Sequence, residues 1–326
     1  MLMGNIDAES KKYMNDNARF ADAFNYLIYD GKCVIDPMSL SPLDSTEIAV
    51  PYGNEAREPE QKYRDVLKLW QAMTDGEAIY AVLGNEIQAD VHYAMPVKNG
   101  LYDFINYARQ VEEAKKSYQN QNKKQEKVKL TSAEFLSGFR KEDKLMPVIT
   151  LVIYLGVSDW DGPMSIHEML STKNGQLLKF VPDYRINLIA PAQISDGNFR
   201  KFSTDLGKVL QYIKYSNDKE GLYRITHEGD RFRNIDEDSA YLINITTGSE
   251  LTFKVEGGMV DMCTAIDEMR EESRKEGEVT GWQNGWKDGA MDTLSSLVDK
   301  GLIPLSVAAT EAGLSVTEFQ AKTTVK

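Results

Sequence analysis

The Asp75-Gly76 pair constrains this chain more than any other two residues. A DG step between apolar stretches is the signature of a two-residue β-hairpin loop, and here it separates "YRDVLKLWQAMT" from "EAIYAVLGNEIQ". If the pair forms the loop, Thr74 faces Glu77, every later partner is fixed, and Asp65 falls opposite Glu86. Directly opposed side chains stand roughly 5 Å apart at Cβ, so two carboxylates placed this way are costly unless positive charge lies between them. The β-branched and aromatic "AIYAVLG" suits a strand. In the first segment Tyr63, Val66, Leu67, Trp70 and Met73 also fit one face of a helix, which is the competing reading.

Glu86 and Gln88 are two residues apart, so a strand presents them on the same side. Two acids on neighbouring strands suit an oxygen-preferring cation, with Mg²⁺ (or Mn²⁺ in its place) the usual partner. Such an ion lowers the pKa of a water and neutralises charge on a phosphate. The expected ligands are Asp65, Glu86 and the backbone carbonyl of Ile87, with Asp22 a candidate outer ligand. The Gln88 amide can orient a water or a phosphate oxygen, and Lys98 supplies a positive charge. On spacing alone the signal is weak. A strand-edge salt bridge from Asp65 to Lys62 or Arg64, and an ordinary exposed Gln88, are the structural alternatives.

The remaining elements follow from periodicity. Asn15 to Tyr29 has apolar residues at helical spacing, and "TEIAVP" is a short strand candidate. From Pro96 to about Tyr118 a helix carries Val97, Leu101, Phe104, Ile105, Ala108 and Val111 on an apolar face, and Lys98, Tyr102 and Asn106 on a polar stripe that can face the site. "PVITLVIYLG" reads as a buried strand. Helix, strand, hairpin, helix, strand describes an α/β layer, a mixed sheet flanked by helices. Further on come a turn and short helix at "SDWDGPMSIHEML", a strand at "FVPDYRINLIAP", a helix over residues 198–215 and a weakly patterned stretch to Phe253. Another helix resumes at Val260. Gly277, Gly281, Gly285 and Gly289 then recur every four residues, as a close-packing helix stripe or as a linker. The tail "LIPLSVAATEAGLSVTEFQ" reads as a small helical hairpin.

Bulk properties exclude several classes. The 326 residues favour about two domains. The longest apolar run, Leu145 to Gly156, is far short of the roughly 20 residues a bilayer span needs, so no membrane segment is expected. The opening residues lack a secretory pattern, which makes the chain read as cytoplasmic. Cys33 and Cys263 suggest no disulfide framework, and His92, His167 and His227 do not sit at zinc spacing. A net charge of −12 argues against non-specific coating of nucleic acid. The basic run from Arg109 to Lys129, with Lys115 and Lys116 at its centre, is either a solvated helix end or a rim that contacts phosphates.

Three stretches together carry a resemblance: "YRDVLK", "LGNEIQADVHYAMPVKNGLYDFINYARQVEEA" and "FLSGFRKEDKLMPVITLVIYLGVSDWDGP". The chain resembles the recombination-promoting nuclease (transposase) family of the PD-(D/E)XK superfamily over about two-thirds of its length, most specifically from Tyr63 to Pro163. Asp65 matches the family's Asp, Glu86 and Gln88 its Glu-x-Gln, Lys98 the basic residue of the next helix, and Tyr102 and Tyr107 the tyrosines that follow. Lys at 98 presents a point charge where Arg is common. The resemblance implies a restriction-endonuclease-like core over residues 1–255 and a helical C-terminal extension over 256–326. It also implies a Mg²⁺-dependent DNA endonuclease linked to recombination or mobile elements, with Asp65, Glu86, Gln88 and Lys98 catalytic; Lys98 and Tyr102, and from the basic run Lys115 and Lys116, are the candidate substrate-side residues. Nucleases that cut both strands often act as dimers, so a homodimer is among the expected states. The alternative is a degenerate nuclease fold that acts by binding protein partners.

Overall fold

The register set by the hairpin holds. The computed structural model describes residues 2–44, 46–49, 60–63, 65–74, 77–123 and 130–323. Thr74 pairs with Glu77 and Val66 with Asn85 along an antiparallel ladder, so the helical reading of the first segment is replaced by a strand. The Asp75-Gly76 loop itself lies outside the described residues.

The first elements are α1 (Leu2–Met14), α2 (Asn17–Tyr29), β1 (Leu40–Pro42), β2 (Thr46–Ala49), β3 (Glu60–Tyr63), β4 (Val66–Thr74), β5 (Glu77–Gln88), α3 (Met95–Lys123), α4 (Ser132–Ser137), β6 (Val148–Tyr154), α5 (Ile166–Met169), α6 (Gly175–Leu178) and β7 (Asn187–Ile189). Five strands form one mixed sheet in the order β1-β4-β5-β6-β7. The β1/β4 and β4/β5 pairs are antiparallel, and β5/β6 and β6/β7 are parallel. Parallel neighbours need a long crossover, and α3 supplies the one between β5 and β6. Chain 2–263 makes one compact unit. Among the described residues no helix is long and apolar enough to cross a membrane.

The two faces of the sheet are covered differently. Asp16 caps α2, its carboxylate accepting from the Arg19 backbone N–H at 3.0 Å. On the α1–α2 side Lys68 is buried, its ammonium donating to the Asn15 carbonyl at 2.6 Å and to the Asn17 side chain, 5.0 Å from the Phe20 ring. Burial lowers the Lys68 pKa, and Asp16 opposes that only in part. On the other side Leu67, Val82 and Val148 cluster with Tyr107 of α3.

Helix α3 reverses the polarity that its sequence suggests. The apolar residues Val97, Leu101 and Phe104, expected to face the core, are 50%, 38% and 66% exposed. The polar stripe is inside: Lys98 reaches Glu86, and Tyr102 and Asn106 are buried. Directed polar contacts hold this face down. Asp103 accepts from the Thr150 and Tyr184 hydroxyls, both at 2.6 Å. The Tyr107 hydroxyl accepts from the Val148 N–H at 3.1 Å, and Gln110 bonds both backbone groups of Met146. Phe104→Ser is therefore expected to change the unfolding free energy by less than about 0.5 kcal/mol in urea titration. A loss of about 2 kcal/mol or more would mean that the ring is covered.

The C-terminal half of the first unit is helical, with β8 (Ile235–Asp236), β9 (Val255–Glu256) and β10 (Met259–Val260) forming a small sheet beside α7 (Leu206–Tyr215), α8 (Lys219–His227) and α9 (Glu237–Thr247). The stretch read as weakly patterned thus holds two helices. The second unit, Thr264–Lys326, contains most of α10 (Met262–Asp299), with α11 (Leu305–Glu311) and α12 (Val316–Thr323). Helix α10 runs unbroken through Gly277, Gly281, Gly285 and Gly289, and among the described residues nothing beyond the helix's own adjacent backbone lies within 4 Å of where a Cβ on any of them would sit. The glycine stripe is helix, as its period implies, with open space beside it. Met291, Leu294 and Val298 pack around Ala308, Ala309 and Phe319, so the tail forms a helical hairpin against the end of α10.

Candidate active site

The apolar part of β5 ends at Leu83, and its last residues carry the chemistry. Glu86 lies beside Val152 of β6, and Gln88 beside Tyr154. On the other side the ladder to β4 stops at the Val66–Asn85 pair, and Asp65 stands one residue beyond it in a bend. There the Asp65 side chain takes over from the backbone, one carboxylate oxygen accepting from the Ile87 N–H at 2.7 Å. The other oxygen is 3.0 Å from the Lys11 ammonium of α1, which also pairs with Asp7 at 2.8 Å. Asp65 is thus adjacent to the β5 end as the register requires, but it is not a regular ladder partner of Glu86. The reason is that Ile87 offers an N–H that β4 no longer reaches.

Glu86 is fully buried, and its Oε2 is 2.7 Å from the Lys98 ammonium. Lys98 is about a quarter exposed and lies 5.9 Å from the centre of the Tyr102 ring. Each acid therefore has a lysine from a different helix. Lys11 is the residue that sequence reasoning missed. The trace of it in the sequence is the Asp7/Lys11 spacing of one helical turn; its pairing with Asp65 is a tertiary contact that spacing does not reveal. Burial lowers the Lys11 pKa, but the hydrogen bonds and charges of Asp7 and Asp65 outweigh it and hold it above the ordinary 10.5. Its contribution to stability is then present at neutral pH and is lost only as the pH rises through that elevated value.

Gln88 turns back on its own strand, its amide donating to the Ile87 carbonyl at 2.9 Å, the carbonyl expected to face a cation. Asn99, next to Lys98 on α3, is fully buried, and its amide has no hydrogen-bond partner among the described residues. Among the described residues no group of three or more His, Cys, Asp and Glu side chains is placed to hold a metal ion. The donor set at the β5 end is smaller, two carboxylates and a backbone carbonyl. These are hard oxygen donors of the kind Mg²⁺ takes in small number while keeping its waters, and each carboxylate has a lysine ammonium against it.

Several candidate residues fall elsewhere. Asp22 is buried and accepts from four donors, the backbone N–H and hydroxyl groups of Ser203 and Thr204, at 2.6–3.0 Å. Both its oxygens are committed to clamping that loop, which corrects its reading as an outer ligand. Asp22→Ala is expected to cost about 3 kcal/mol in urea unfolding, because it leaves buried donors unpaired, and to leave Mn²⁺ binding by the folded protein unchanged. Tyr102 is 4% exposed, so it packs beneath Lys98 and does not present a surface to substrate. Lys115 and Lys116 are exposed on α3, about 25 Å along the axis from Lys98, and Lys115 pairs with Glu112 at 3.3 Å. They do not belong to the same cluster. The Lys124 to Lys129 part of the basic run, and Arg64, lie outside the described residues. Comparison of the chain with protein-family models, with curated proteins and with solved structures finds no match in any of the three.

Proposed function

We propose that this chain is a Mg²⁺-dependent DNA endonuclease of the PD-(D/E)XK type, built on a restriction-endonuclease-like core. One observation carries the reading: Asp65 and Glu86 both stand at the β5 end, each against its own lysine ammonium, Lys11 of α1 and Lys98 of α3. The antiparallel β4–β5 hairpin followed by a helix and the parallel strand β6 supports it as the scaffold. Asp65, Glu86 and the Ile87 carbonyl would hold the cation, which when bound neutralises phosphate charge and acidifies a water. Lys98 pairs with the buried Glu86 at 2.7 Å and, were a divalent ion to sit against that carboxylate, would be free to contact a phosphate oxygen. Gln88 is held by the Ile87 carbonyl and would be released to orient a water if the carbonyl turned to the ion. The Asp65 carboxylate keeps the β5 end in place through Ile87. The test is supercoiled plasmid DNA incubated with the full chain. Nicked and linear forms should appear with Mg²⁺ or Mn²⁺ and not with chelator, and intact plasmid under both conditions would overturn the proposal.

A second reading is favoured by a specific observation. Glu86 is sealed from solvent, Gln88 is satisfied within the chain, and Val97, Leu101 and Phe104 stand exposed at four- and three-residue steps along α3. A degenerate nuclease fold that binds protein through α3 would look like this. It would leave plasmid uncut and bind no divalent ion.

A further inference from the structure

Away from the sheet, one cleft gathers positive charge on a chain whose net charge is −12. It has a volume of about 800 Å³ and opens between the short 3₁₀ segment Asp196–Lys201, α7 and the end of α8. Arg200, Arg224 and Arg231 line it, and Phe202 and Ile225 form an apolar wall. The acids at its edge are mostly spoken for. Asp196 accepts from the Lys214 ammonium at 2.8 Å and from the Tyr215 hydroxyl at 2.7 Å, and Asp230 lies 3.3 Å from Arg233 Nε. Glu228 is the remaining acid in the lining.

Arg231 is fixed in place. One of its nitrogens donates to the Phe199 carbonyl at 2.7 Å and another to the Gln211 side-chain oxygen. Neither partner is charged. Burial, and then the like charge of Arg200, lowers the Arg231 pKa. A cleft lined by three guanidiniums, one of them held by two neutral acceptors, with two of its three lining acids paired to cations outside the lining, is a place for an anion. We propose that this cleft binds a phosphorylated small molecule of about mononucleotide size, its phosphates among the three arginines and its apolar part against Phe202 and Ile225. The volume is that of a small-molecule site. The bounded volume favours a compact ligand over a nucleic-acid strand. The proposal stands apart from the nuclease reading, because none of these residues takes part in the β5 site.

The test is titration calorimetry of the full chain without divalent ions at constant ionic strength, using inorganic pyrophosphate and ADP as probes. Both should bind with dissociation constants below about 1 mM, ADP at least as tightly as pyrophosphate. Arg200→Gln and Arg224→Gln are exposed changes, so the thermal midpoint without ligand should stay put. Each should weaken binding about tenfold, and the double variant should abolish it. Arg231 is left alone because it also holds the loop. Three results would overturn the proposal: neither probe binding at about 1 mM, the double variant binding like wild type, or pyrophosphate binding with ADP excluded. A short oligonucleotide binding through Arg200 and Arg224 while both probes stay silent would overturn it in favour of a strand-binding groove.

Discussion

Asp65→Asn is expected to leave the chain folded and to lower Mg²⁺-dependent nicking of plasmid DNA by about 10³-fold, the scale set by losing one preorganised charge at a reacting phosphate. The isosteric change separates two roles that Asp65→Ala would mix. Asp65 accepts the Ile87 N–H at 2.7 Å, so alanine leaves a part-buried donor without its partner and costs about 1–3 kcal/mol in addition to any catalytic loss. Asparagine still offers an acceptor oxygen to Ile87, and what it removes is the charge facing Lys11 and the proposed ion. Circular dichroism and the urea midpoint should therefore move little while the nicked product disappears. Nicking that survives Asp65→Asn at the wild-type rate would remove Asp65 from the chemistry and leave it the backbone clamp.

The second large effect is on stability. Lys98→Met should destabilise the chain by about 3 kcal/mol, since removing one partner of a buried pair leaves the other charge in a site that solvent does not reach. The asymmetry of the pair makes the expectation specific. Glu86 is fully buried, whereas Lys98 is partly exposed and can move its ammonium to water. Glu86→Gln should consequently cost much less, about 1 kcal/mol, and the double variant should recover part of the Lys98→Met loss. Urea unfolding of the four proteins reads all of this as a double-mutant cycle. Equal costs for the two single changes would show that the Glu86 carboxylate does not depend on the lysine.

The hairpin was legible because side-chain alternation leaves no freedom once the loop is fixed. A two-residue DG loop sets every partner, and the observed ladder from Thr74–Glu77 to Val66–Asn85 is the one the loop dictates. The buried strand β6 and helix α2 were legible for the same local reason, continuous β-branched character in one and an Asp-capped apolar period in the other. What the sequence concealed lies where tertiary contacts override pattern. The apolar stripe of α3 implied a core face, yet polar partners on β6 and near β7 pull its other side inward, and bonds such as Asp103 to Thr150 and Tyr184 cannot be seen from spacing. Asp22 looked like a spare acid until Ser203 and Thr204, remote in sequence, filled its oxygens. Lys11 reaches Asp65 from a helix remote in sequence, a tertiary pairing that local spacing cannot show. The Asp65 bend was hidden too, because register specifies which residues face each other and not where a ladder ends.

If Asp65 and Glu86 share one divalent ion as proposed, calorimetric titration of the full chain with Mn²⁺ at neutral pH should give one Mn²⁺ per chain, with the heat lost in Asp65→Asn and in Glu86→Gln and retained in Asp22→Ala. No Mn²⁺ heat from the folded wild type, or an unchanged isotherm in both carboxylate variants, would contradict that proposal.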